Sequence, residues 1–268
     1  MKKLLALALA ILMLVTLVAC KNKNEDADNG NNNQNKTDEY VADALVFENF
    51  TYAVNASGMY EITGYIPSSN DLVSLTVPSS IEGRPVTGIG ESAFKASKYL
   101  KEITLPESIV YIDSYAFYDC DYMTAIKLPN SLTTLGMGAF QDCSALASVT
   151  FGTGLTTIGE YAFMNCGALT NVVLPAALQT ISAGAFYNCD ALTAIAIPEA
   201  TTTLGDAAFH ECSSLATITV TDKTVNLGAS LFTKCADKLT VNTPAESAFA
   251  KYVVENEYTL APVAQPAA

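Results

Sequence analysis

Six cysteines, Cys120, Cys143, Cys166, Cys189, Cys212 and Cys235, recur at intervals of 23 residues, and a seventh, Cys20, stands far from them. Cysteines can serve as nucleophiles, zinc ligands or disulfide partners, and an even count is often a disulfide framework. The register argues for something else. Each of the six lies three residues after a phenylalanine of the column Phe94, Phe117, Phe140, Phe163, Phe186, Phe209 and Phe232, where a small apolar thiol packs well. Buried free thiols are therefore expected, while stacked neighbours about 5 Å apart leave pairing geometrically open.

The residues just before those cysteines include Asp119, Asp142, Asn165, Asn188 and Glu211. One carboxylate or amide per layer is too few to hold calcium, which needs several converging oxygens. Short polar side chains at a turn are expected instead to hydrogen-bond nearby backbone. His210, the only histidine, follows a core phenylalanine in a column with Tyr118, Gln141, Met164, Tyr187 and Thr233, and is expected at the surface. No nucleophile, base and orienting group, and no pair of facing carboxylates, is spaced for catalysis. Neither enzyme, metal nor cofactor is expected.

What positions these columns is a repeat that reads L-x-x-I-x-L-P-x-x-L-x-x-I-G-x-x-A-F-x-x-C-x-x. In the unit beginning at Leu100, the segment Leu100-x-x-Ile103-x-Leu105 matches the strand of a leucine-rich repeat. Alternation turns Ile103 and Leu105 inward and Glu102 and Thr104 outward, and Pro106, which has no amide hydrogen, ends the strand. Ile109 and Ile112 then return to the core, and Ala-Phe makes a short helical turn. A glycine usually precedes that turn (Gly90, Gly136, Gly159, Gly205, Gly228) and is expected at positive φ. One such unit buries too little to offset the entropy of ordering it, so stability belongs to the stacked array. The fold class is a leucine-rich-repeat solenoid, a parallel β-sheet with short helical turns, capped by an N-terminal β-hairpin and a short C-terminal helix.

The domain boundaries follow. Residues 1–19 read as a signal peptide, with Lys2 and Lys3 ahead of an apolar run from Leu4 to Val18. Residues 20–39 contain no aliphatic side chain larger than alanine and form a disordered, Asn-rich tether. Residues 40–71 are the N-terminal cap, where Phe47, Tyr52, Val54, Tyr60, Ile62 and Tyr65 alternate around Asn55-Ala56-Ser57-Gly58. The repeats occupy 72–243. Residues 244–258 form the C-terminal helical cap, its start marked by a capping box at Thr243-Pro244-Ala245-Glu246, and 259–268 form a disordered tail.

Charge narrows the partners. The net charge is −13, and loss of residues 1–19 with Lys2 and Lys3 would make it −15. So acidic a chain repels phosphate, which excludes nucleic acid; a monomer is expected.

Two resemblances add to this reading. Leu17-Val18-Ala19-Cys20 resembles a bacterial lipoprotein lipobox, which implies a diacylglycerol on the Cys20 thiol, cleavage before it, and anchorage of an exported chain to the outside of the cell membrane. The segments LPNSLTTLGMGAFQDCSAL and LPAALQTISAGAFYNCDAL resemble the BspA-like leucine-rich-repeat surface proteins of bacteria. That resemblance covers residues 45 to 255 and implies a curved solenoid that attaches to host or neighbouring-cell proteins. The chain departs from many such proteins in showing no cell-wall sorting motif and no accessory domain, so anchorage is expected to rest on Cys20.

The expected function is a cell-surface module that binds an extracellular protein or glycan. A coat-like structural role without a defined ligand is the alternative, and an enzyme a distant third. Strand register puts Thr124, Lys127, Ser148, Thr150, Thr170, Asn171, Val173, Thr193, Thr217 and Thr219 on the outward sheet face as candidate ligand contacts. A cluster of Tyr99, Tyr111, Tyr115, Tyr118 and Tyr122 is the rival surface, since tyrosine is favoured at interfaces.

Overall fold

The computed structural model describes residues 45–221, 223–224, 226–236 and 239–260, all within the compact unit Ala42–Ala268. The signal peptide, Cys20, the tether and residues 261–268 lie outside the described residues.

Each 23-residue turn runs past three hydrogen-bonded sides. On the first, the expected strands pair in parallel: Val73–Thr76, Leu100–Thr104, Ala125–Lys127 and Ser148–Thr150 make one four-stranded sheet. Ala194–Ala196, Thr217–Thr219, Thr240–Asn242 and Thr259–Leu260 make another. Ile126 stands opposite Val149, and Ile195 opposite Ile218, so inward residues stack on their equivalents one repeat away. Between the two sheets the ladder is reduced to isolated bridges at Asn171, to Ser148 on one side and Ala194 on the other. The gap adjoins Phe151, the one aromatic residue in the column of Leu105, Leu128, Leu174, Ile197 and Val220.

The second side is a parallel ladder that sequence did not reveal. Arg84–Ile89, Tyr111–Ile112, Thr134–Leu135, Thr157–Ile158, Thr180–Ile181, Thr203–Leu204 and Asn226–Leu227 pair in chain order. At its N-terminal end this sheet continues into the expected hairpin, Phe50–Val54 against Tyr60–Tyr65, with Leu45–Phe47 along its outer edge.

The third side is built from turns. The N–H groups of Tyr115, Phe117 and Asp119 donate to the oxygens of Met137, Ala139 and Gln141 in the next repeat at 2.8, 2.8 and 2.9 Å, and later repeats continue the pattern. Every other amide thus points along the stack axis, which satisfies groups that an irregular turn would leave orphaned.

Inside, the seven column phenylalanines stack with centroids 5.1 to 5.8 Å apart and planes within 16° of parallel. Phe249 and Tyr258 close the stack edge-on against Phe232 at 6.0 and 5.6 Å.

Several local expectations need correction. Gly90, Gly136, Gly159, Gly205 and Gly228 do not adopt positive φ; that region is occupied elsewhere, by Tyr115 and Tyr161 among others. Four of those glycines are required by contact instead: a Cβ at Gly136, Gly159, Gly205 or Gly228 would lie 2.3 to 2.6 Å from backbone of the preceding repeat. The C-terminal helix is Ala248–Glu255, capped by Ser247, whose Oγ accepts from the Ala250 N–H at 3.0 Å. Thr243 lies one turn too early, because Pro244 to Ser247 form a separate turn closed by a 3.0 Å bond from the Ser247 N–H to the Pro244 oxygen. Thr259–Leu260, placed in the tail by sequence, is a strand paired with Thr240–Asn242.

Candidate binding surfaces

The sheet-face candidates lie where alternation puts them. Thr124, Lys127, Ser148, Thr150, Thr170, Asn171, Val173, Thr193 and Thr219 are exposed and Thr217 is half-buried. Ile126, Val149, Val172, Ile195 and Ile218, between them in sequence, are buried. Lys127 is the only charge in the set, so the face is flat, hydroxylated and nearly neutral on an acidic protein. Val173 is the exception in character: an aliphatic side chain 81% exposed, beside the break in the sheet. It lines an open groove of about 720 Å³ with Leu174, Ala176, Ala196 and Ile197, and Glu199 and Lys223 pair at its lip.

The tyrosine cluster divides. Tyr99 packs on Tyr65 at 5.5 Å and accepts from the Ser97 hydroxyl at 3.2 Å, which ties it to the N-terminal cap. Tyr111 donates to Glu61 Oε2 at 2.6 Å and accepts from Asn55 Nδ2 at 3.1 Å. Burial and the Glu61 bond push its hydroxyl up to about 12. Both are clamps between cap and repeats. Tyr115 and Tyr118 lie together at the turn side, ring centroids 6.0 Å apart, with Lys95 Nζ 5.9 and 5.0 Å from them. Tyr122 is half exposed and shares no ring contact with the others among the described residues.

Of the polar residues before the cysteines, Asp142, Asn165 and Asn188 bond to one another along the stack, while Asp119 and Glu211 pair with Lys98 and Lys234. Asn165 Nδ2 donates to Asp142 Oδ1 at 2.6 Å and Asn188 Nδ2 to Asn165 Oδ1 at 2.9 Å. All of Asp119, Asp142, Asn165, Asn188 and Glu211 take positive φ, which short polar side chains tolerate best. Lys98 holds Asp119 and Asp121 at 3.2 and 2.6 Å, and its ammonium lowers the Asp121 carboxyl.

His210, expected at the surface, has a side chain only 17% exposed. It stacks on Tyr187 at 5.0 Å, and its Nδ1 is buried without a partner. The column cysteines are free thiols, five buried and Cys235 partly so. Among the described residues no three of His, Cys, Asp and Glu gather as a metal site, and no helix is long and apolar enough to cross a membrane. Cys20 lies outside those residues.

The same period is recognised by a family model, the BspA-type leucine-rich-repeat region, which matches six copies over residues 61–193 and 156–259. The chain belongs to that family. The leucine-rich-repeat protein of T. pallidum is 21% identical over 83% of this chain and 100% of its own, with a TM-score of 0.50, and shares the fold. A leucine-rich cell-surface protein of Faecalibacterium prausnitzii is 20% identical over 75% and 76% of the two chains, with a TM-score of 0.45. A leucine-rich-repeat protein of Eubacterium ventriosum is 26% identical over 60% of this chain and 49% of its own, with a TM-score of 0.44. No curated protein matches the chain.

Proposed function

We propose that this BspA-type protein is a bacterial surface module, held to the membrane by a lipid on Cys20, that binds an extracellular protein on its outward sheet face. The observation that carries this reading is the face itself. From Thr124 to Thr219 it presents hydroxyls, an amide and small side chains on paired strands, with one charge and one exposed aliphatic residue, Val173. A flat, rigid surface of this composition loses little entropy on binding and offers neutral hydrogen bonds across a broad area. Val173 and the groove beside it supply an apolar centre, the kind of pocket in which interface energy concentrates. Contact there depends on shape and neutral hydrogen bonds, so affinity should vary little with salt.

The test is a screen of the Cys20→Ser chain, which keeps its repeats intact, against extracellular-matrix proteins. Thr150→Arg with Asn171→Arg should abolish the binding found without changing the melting temperature. Parental binding by that double variant would remove the sheet face as the site.

A further inference from the structure

The turn side carries an aromatic row that the sheet-face reading does not use. Tyr115 and Tyr161 occupy the same column two repeats apart, both at positive φ, +56° and +55°. Ser92, Ala207 and Ser230 share that conformation in the other repeats, so it belongs to the turn, and the tyrosines are distinguished by what their rings rest on. The intervening and following repeats place glycine in that column, Gly138 and Gly184. A Cβ on Gly138 would lie 2.6 Å from the Tyr115 ring, and one on Gly184 2.4 Å from the Tyr161 ring. Each glycine is therefore the slot that seats the preceding tyrosine. Tyr115 is half-buried and Tyr161 is 39% exposed, so the slots hold the rings at the surface rather than in the core.

Alternation of Tyr and Gly spaces the rings by two repeats. The core phenylalanines measure that interval as steps of 5.1 Å from Phe117 to Phe140 and 5.4 Å from Phe140 to Phe163. Beside the rings run the side-chain rungs Asp142, Asn165 and Asn188, bonded in series. Tyr118 flanks the same row, its hydroxyl pushed up by its hydrogen bond to Asp142. Rings and amides thus repeat in register along a straight edge.

We propose that this edge binds an extended, uncharged β-1,4-linked polysaccharide. In such a ribbon every second sugar presents the same face, an interval on the order of two strand spacings. Tyr115 and Tyr161 would each stack on the C–H face of an alternate sugar, and the rungs would exchange hydrogen bonds with its hydroxyls. The ammonium groups of Lys95 and Lys98 stand against the carboxylates of Asp119, Asp121, Asp142 and Glu160, so the edge stays net negative and does not attract an anionic chain. An α-1,4-linked chain curls and cannot follow a straight row. This site is separate from the sheet face and does not depend on it.

The experiment titrates the Cys20→Ser chain with cellohexaose, chitohexaose and, as the curled control, maltohexaose. The sequence has no tryptophan, so intrinsic fluorescence reports tyrosine alone. Binding of at least one β-1,4 hexasaccharide, with a change in tyrosine emission and none with maltohexaose, is expected. Tyr161→Gly copies what the neighbouring repeats already place in that column, so its melting temperature should equal or exceed the parent's while affinity falls by about tenfold or more. Thr150→Arg with Asn171→Arg should leave glycan binding unchanged. No binding of either β-1,4 hexasaccharide, equal binding of maltohexaose, or parental affinity in Tyr161→Gly would overturn the proposal.

Discussion

The thiol of Cys166 donates to the main-chain oxygen of Phe140, 3.1 Å away and 26 residues earlier in the chain. The same bond recurs at every cysteine of the column, from Cys120 to Phe94 through Cys235 to Phe209, at 3.0 to 3.2 Å. It reaches one full repeat and three residues back. A single residue type therefore fills a small core space and satisfies a carbonyl of the preceding turn, which explains free thiols in this column better than apolar packing alone.

Phe163 and Cys166 should differ in what their loss costs. Phe163→Ala removes a fully buried ring that stacks on Phe140 at 5.4 Å and Phe186 at 5.3 Å, and should destabilise by about 3 to 5 kcal/mol. Cys166→Ser keeps a donor for the Phe140 oxygen but buries a more polar atom, and should cost about 1 to 2 kcal/mol. Urea-unfolding midpoints decide it, and two unchanged midpoints would contradict the inward placement of both columns.

The thiols should also be chemically silent until the array opens. Burial pushes the Cys235 thiol, the most accessible of the column, up to about 12, and also raises Cys166 and Cys189. Because folded values lie above the unfolded ones, the stability linked to these groups is present below the ordinary thiol value and is lost as pH rises above about 8.5. Iodoacetamide at pH 8 should therefore label no column cysteine in the native protein and all six in denaturant, and stability should decline between pH 8.5 and 11. Labelling of native Cys166 would show that the stack opens far more readily than its burial implies.

Ile126 and Val149 show what was legible in the sequence: alternation over several residues at a fixed 23-residue offset declares a strand, its inward face and its stacking partner. Thr134 and Leu135 show what was not. Two residues cannot display a period of two, so the second sheet left only an isolated inward Leu or Ile in each repeat. Asn165 and Asp142 were visible as a column, but whether such side chains turn to backbone or to each other depends on φ, and positive φ becomes apparent only when the turn is built. Tyr115 hid its conformation altogether, since tyrosine is not a residue that sequence reading assigns to the left-handed region. The ring's seat is written in the next repeat, as Gly138.

Anchorage can be tested apart from the fold. If Cys20 carries the lipid, Cys20→Ser should give a chain with unchanged melting that appears in the medium or retains its leader, rather than a mature-sized membrane protein. Equal membrane retention of mature-sized variant and parent would reject lipid attachment at this residue.

Two glycines separate backbone strain from steric exclusion. Gly58 has φ +75° in the hairpin turn, and a Cβ there would meet nothing within 4 Å. Gly58→Ala should therefore cost only the left-handed conformation, about 1 to 2 kcal/mol. Gly159 does not have positive φ, yet its Cβ would lie 2.6 Å from the Leu135 oxygen and 2.7 Å from the Gly136 carbonyl carbon. No rotamer relieves that contact, because both atoms are backbone of the preceding repeat and belong to its ladder. Gly159→Ala must push two repeats apart, which also strains the bond from the Gly159 N–H to the Leu135 oxygen, now 2.8 Å. Its cost should be the larger, about 3 kcal/mol, at the upper end for overpacking. Equal losses in urea-unfolding free energy would mean that neighbouring repeats separate easily at this corner, and that the glycine column is not set by close approach.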